Sequence, residues 1–153
     1  MFDWFVASLQ CPACGAVSSP TSATNMVTHV RDDANGSELS VGSELDALDL
    51  RTDDILSSSY QLVSAPAPGE PIRLLDMWRC PSCGRSDNWA LVTISGNRIT
   101  EIKAVILDRV MLERANFISD QCFILAAQLS DIPATDLISG NASSVDVLRR
   151  RLP

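Results

Sequence analysis

Short apolar runs, broken by Pro, Gly, Asn and Ser, carry the chain as far as Leu107, and helical spacing follows. Trp4-Phe5-Val6-Ala7-Ser8-Leu9-Gln10 predicts a first strand, and residues 16–22, small and polar, predict a loop. Met26-Val27-Thr28-His29-Val30-Arg31 alternates and includes β-branched residues, so it predicts a strand, and Asp33-Ala34-Asn35-Gly36 predicts a turn after it. Ser59-Tyr60-Gln61-Leu62-Val63 and Ile72 to Arg79 predict two more strands. The proline-rich connector Ala65 to Pro71 between them can continue neither a helix nor a central strand. Trp89 to Ile94, Ser95-Gly96-Asn97 and Arg98 to Leu107 form the clearest hairpin, with Ile102, Ala104 and Ile106 on one face of its second strand. Beyond it, Asp108–Phe117 reads as helix, and Ser119 caps a second helix over Asp120–Leu129 with Cys122, Phe123, Leu125, Ala126 and Leu129 as its apolar stripe. Ile132-Pro133 ends it, and Ser143 or Ser144 caps a last helix whose Arg149, Arg150 and Arg151 suit a helix C-terminus. The pattern predicts an α+β chain: a β-rich body over 1–107 and a helical tail over 108–153, together one domain of residues 1–153.

Composition adds a sign to this outline. The 153 residues carry a formal net charge of −7, and Lys103 is the only lysine. Within residues 32–54, Asp32, Asp33, Glu38, Glu44, Asp46, Asp49, Asp53 and Asp54 face Arg51 alone. Leu39, Val41, Leu45, Leu48 and Leu50 punctuate that acidic stretch and predict short strands or one helical turn with a charged outer face. Such a balance opposes attraction to nucleic acid and to anionic lipid. No apolar run approaches the length of a membrane span. The apolar opening lacks the basic flank and cleavage site of a signal peptide, so the expected compartment is the cytoplasm.

The chemistry lies in a repeat. Cys11-Pro12-Ala13-Cys14-Gly15 recurs as Cys80-Pro81-Ser82-Cys83-Gly84. Cysteines at i and i+3 of a tight turn present both sulfurs to one point. Proline at i+1 presets φ, and the glycine after the second cysteine accepts a left-handed conformation. Two such turns with matching Pro and Gly predict one tetrahedral ion held by Cys11, Cys14, Cys80 and Cys83. A pair of redox dithiols is the competing use of C-x-x-C. Disulfides do not suit a reducing compartment.

Here the chain resembles the zinc-ribbon and rubredoxin-like class, in which two CPxCG knuckles on β-hairpins clamp one ion. Its opening and early knuckle are also similar to short bacterial zinc-ribbon proteins. The resemblance covers Cys11–Gly15, Cys80–Gly84 and their flanking strands; joined to the helical pattern after residue 107, it leads to the expectation of an expanded zinc ribbon of antiparallel strands with a C-terminal helical segment. It implies a ligand role for the four cysteines and names no substrate. It departs in length, because 65 residues (15–79) separate Cys14 from Cys80, against about 15–20 in the usual spacing. Four thiolates suit zinc and iron alike. Zinc is expected, since a rubredoxin-like carrier needs a far shorter chain.

No other residue carries a catalytic motif: a phosphate-cradling loop, HExxH and G-x-S-x-G are all absent from the sequence. His29, the lone histidine, reads as a solvent-facing strand residue, Cys122 as a buried thiol, and the paired carboxylates as a solvated face. Trp4, Trp78 and Trp89 read as packing around the metal site. The expected function is a non-enzymatic protein-interaction module, acidic enough to bind or inhibit a basic protein as an immunity-type partner does. The alternative is a nucleic-acid-binding ribbon that uses Arg79, Arg85, Arg98 and Arg149–Arg151.

Overall fold

The computed structural model describes residues 2–31, 35–45 and 59–153. The acidic positions Asp32, Asp33, Asp46, Asp49, Asp53 and Asp54 lie outside them, as does most of the helical turn or strand expected there. Among the described residues the fold is mixed α+β, with two sheets and C-terminal helices.

The smaller sheet has β1 (Asp3–Phe5) at its centre, antiparallel to β2 (Val27–Thr28) and parallel to β3 (Glu38–Leu39). The larger has β4 (Tyr60–Leu62), β5 (Ile72–Trp78), β6 (Asn88–Ser95), β7 (Arg98–Val105) and β8 (Phe117–Ser119) in the order β4-β8-β5-β6-β7. Both sheets are mixed, which corrects the expectation of antiparallel strands throughout. β8 runs parallel to β5 and antiparallel to β4.

The alternation of side chains explains why this sheet is buried on both faces. Leu74, Trp78, Ala90, Val92, Ile94 and Phe117 point into one core, shared with Phe5, Leu9, Met26, Leu39 and both buried cysteines. Leu75, Leu91, Trp89 and Ile118 point into a second core made by the helices. These helices are α1 (Arg109–Arg114), α2 (Phe123–Leu129), α3 (Ala134–Ser139) and α4 (Ser144–Arg151). The result is three layers: the small sheet with the first knuckle, the large sheet, and the helices.

Local chemistry sets the boundaries. In the hairpin turn both Gly96 and Asn97 have positive φ, as a two-residue hairpin connection requires. A bulge at Thr93/Ile94 shifts the register, so Ile99 and Ile102 both face the core despite their odd spacing. Ala104 packs beside them, whereas Ile106 lies past the strand and is 65 % exposed. Asp108 caps α1 by accepting from the Met111 N–H at 2.7 Å. Ser119 caps a 3-10 turn that runs into α2, and Ser143 caps α4.

Several expected elements are shorter or different. The first strand ends at Phe5, and the second spans only Val27–Thr28. The helix expected over Asp108–Phe117 stops at Arg114, because Asn116 hands the chain to β8. Its N–H donates to Arg73 O, its Oδ1 accepts from Arg73 N–H, and its Nδ2 donates to Ser64 O. The tail is therefore not wholly helical. α2 ends at Leu129, where extended Ser130 caps it before Ile132-Pro133 is reached, and Pro133 instead opens α3 as its N-cap, consistent with the tolerance of proline at a helix start. No helix among the described residues is long and apolar enough to cross a membrane.

Candidate metal centre

The two knuckles are built alike. Cys11 N–H donates to Ala16 O at 2.9 Å and Gly15 N–H to Cys11 O at 2.9 Å. Cys80 N–H donates to Arg85 O at 2.9 Å and Gly84 N–H to Cys80 O at 2.9 Å. Gly15 and Gly84 have φ of 76° and 79°, the left-handed region that a Cβ disfavours. The second knuckle is the connection between β5 and β6, closed by the Trp78–Asn88 pair. The first is closed by an antiparallel bridge between Gln10 and Val17.

This folding brings all four sulfurs together within 4.8 Å of one another. The Cys11–Cys83 and Cys14–Cys80 sulfurs are each 3.7 Å apart. Four thiolates at about 2.3 Å from one ion would lie about 3.8 Å apart along the edges of a tetrahedron. The donor set and its spacing therefore fit a tetrahedral ion. Cys11 and Cys80 are buried, and Cys14 and Cys83 face solvent.

Backbone amides prepare the buried pair for charge. The N–H of Cys14, opposed by burial and helped by the N–H of Ala13, draws the Cys11 thiol down to about 6. The N–H groups of Cys83 and Ser82 likewise hold Cys80 below its ordinary value, against burial. At Cys14 the Ala16 N–H lowers the thiol, but burial and the three neighbouring sulfurs outweigh it and carry it up to about 11. Like charges so close cannot all ionise alone, and a dication is what relieves them. Asn88, buried at the start of β6, points its Nδ2 at Cys11 Sγ from 3.9 Å and donates to Arg85 O at 3.3 Å.

The remaining sequence candidates are scattered. His29 is exposed and meets the Phe2 ring edge-on at 5.9 Å. Cys122 is fully buried among the helices, where burial pushes its thiol up to about 12, the state of an inert core thiol. Trp78 is buried beside the cysteines and donates its Nε1–H to Trp89 O at 3.0 Å. Trp4 meets the Phe2 ring edge-on instead. Arg85 pairs with Asp87, Arg98 with Glu44, and Arg149 with Glu113.

Two buried carboxylates were not singled out by sequence reasoning. Asp3, buried on β1, accepts from Arg31 at 2.8 and 2.9 Å and from the Ser37 N–H at 3.0 Å. Burial raises its carboxyl, and these donors outweigh that and hold it below the ordinary value. Asp76 accepts the Tyr60 O–H, and the Tyr60 oxygen lies 2.9 Å from Thr28 Oγ1. The signal for Asp76 was present: it shares the inward parity of Leu74 and Trp78 on β5.

No protein-family model matches the chain. No curated protein and no solved structure matches it either.

Proposed function

We propose that this chain is a structural-zinc protein, an expanded zinc ribbon, in which Cys11, Cys14, Cys80 and Cys83 hold one zinc ion and stiffen an acidic protein-interaction module. The observation that carries the reading is the sulfur spacing of 3.7 Å across two equivalent knuckles. When bound, zinc supplies folding energy and a fixed cross-link, because a closed four-thiolate shell leaves no position for water or substrate. Iron suits the same ligands. Optical absorption separates them: the purified protein is expected to be colourless, and strong visible bands would assign iron instead.

The partner that suits a chain of net charge −7 is a basic protein, in the manner of an inhibitor or immunity protein, met in the cytoplasm. The nucleic-acid reading is less favoured, since Arg85, Arg98 and Arg149 are engaged by Asp87, Glu44 and Glu113. Co-purification from the native cell at low salt tests the choice. A basic protein that elutes as salt rises supports it, because screening weakens such contacts. Nucleic acid in its place would contradict it.

A further inference from the structure

Where the small sheet, the large sheet and the helical layer meet, the surface folds into a cleft of about 650 Å³. Junctions of this kind are where ligand sites concentrate. Asn25, Val27 and His29 come from the small sheet and its approach, and Ser59, Tyr60 and Asp76 to Arg79 from the large sheet. Ser119 ends β8, Asp120, Gln121 and Ile124 come from the turn and helix after it, and Gly84 and Ser86 come from the second knuckle and the residues just past it. The cysteine site thus holds one wall.

Asp76 is the unusual member, 3 % exposed yet lining the cleft. An ionised carboxylate has about four lone-pair sites. Among the described residues Asp76 accepts only the one Tyr60 O–H, shared between Oδ1 and Oδ2 at 3.0 and 2.9 Å. Thr28 fills the other side of the Tyr60 hydroxyl, so that hydroxyl is committed to Asp76. Asp120, which follows β8, the neighbour of β5 in the sheet, also lines the cleft and adds a second negative charge close enough to raise the Asp76 carboxyl. The basic side chains nearby are Arg79, exposed and with no ion pair among the described residues, and His29, which lies close enough to act on Asp120.

We propose that this cleft binds a cationic hydrogen-bond donor, a guanidinium or alkylammonium group, against Asp76 and Asp120. Such a group offers donors to the remaining lone pairs of Asp76 and adds positive charge beside two carboxylates, neither of which forms an ion pair among the described residues. The source is either a free amine or guanidine or the Arg or Lys side chain of a partner. In the second case the proposal deepens the reading of an acidic interaction module and rests on it.

The test is amide NMR titration of the metal-loaded chain with ethylguanidinium, ethylammonium and a neutral peptide carrying one arginine. Shifts are expected at Tyr60, Met77 and Gln121. Binding should weaken as pH falls below about 7, where Asp76 takes up its proton. Asp76→Asn should weaken it at least about tenfold, as loss of a charge-assisted hydrogen bond does. Asp120→Asn, a change at an exposed position, should weaken it in the same direction. Equal affinity for ethylguanidinium and the peptide identifies a small-molecule site, and much tighter peptide binding identifies a partner's side chain. No shift at the cleft with any probe, or full affinity in Asp76→Asn, would overturn the proposal. A basic protein that still bound under those conditions would retract the cleft alone and leave the interaction module standing.

Discussion

The charge of Asp76 is costly to this fold, because the side chain is buried. Burial, opposed by the Tyr60 O–H and helped by Asp120, carries its carboxyl from 3.8 up to about 7. Because the folded value lies above the unfolded one, the contribution to stability is complete below about pH 4 and is lost as pH rises to about 7. The slope over that window is about 1.4 kcal/mol per pH unit. Asp76→Asn removes it, so urea unfolding of variant and native chain should diverge in the variant's favour as pH rises toward 7. The difference curve isolates Asp76 from the acid sensitivity that metal thiolates add. Parallel curves would show that Asp76 does not carry this titration. At the knuckles, a Cβ on Gly15 would meet nothing within 4 Å, so Gly15→Ala tests the backbone alone. We expect a loss of about 1 kcal/mol in unfolding free energy. At Gly84 the nearest atom to such a Cβ is Arg79 Nη2 at 3.7 Å, an ordinary contact, so a similar loss is expected there.

Among the elements, β8 depends on one side chain. Asn116 satisfies the Arg73 N–H and the Ser64 carbonyl at once and so seats β8 between β4 and β5. Asn116→Ala leaves these groups without that partner and should cost about 1–3 kcal/mol. Hydrogen exchange should quicken at Arg73 and along β8 while β6 and β7 stay protected. What the chain announced at this scale was whatever has a period or a turn signal. The β5, β6 and β7 strands alternate clearly, Gly96-Asn97 marks the β6–β7 hairpin, and Ser119 and Ser143 mark helix starts. β8 has three residues, all buried, with Phe117 and Ile118 on opposite faces, which is too short for any period to show. The parallel pairings join strands distant in sequence, and no local pattern encodes them. Ile99 escaped the expected face because a bulge, rather than composition, turned it inward. The cysteine cluster was legible because its geometry is local twice over: each knuckle declares itself through Pro and Gly. The cleft was not, since its walls come from segments as far apart as Asn25 and Ile124.

At the scale of the whole molecule, the first knuckle belongs to the layer of the small sheet and the second to the large sheet. An ion shared by both would tie the two layers and one wall of the cleft together. Chelation at neutral pH should therefore lower the melting temperature and expose the amides of β1 and β2 before those of β5 and β6, as hydrogen exchange can follow. Cys80→Ser should lower metal stoichiometry and stability together. Full occupancy with unchanged melting would separate Cys80 from the site. The most direct measurement is X-ray absorption at the metal edge of the purified chain. The account predicts one zinc ion per chain surrounded by four sulfurs at about 2.3 Å. Nitrogen or oxygen neighbours in place of sulfur, or no bound metal, would contradict it.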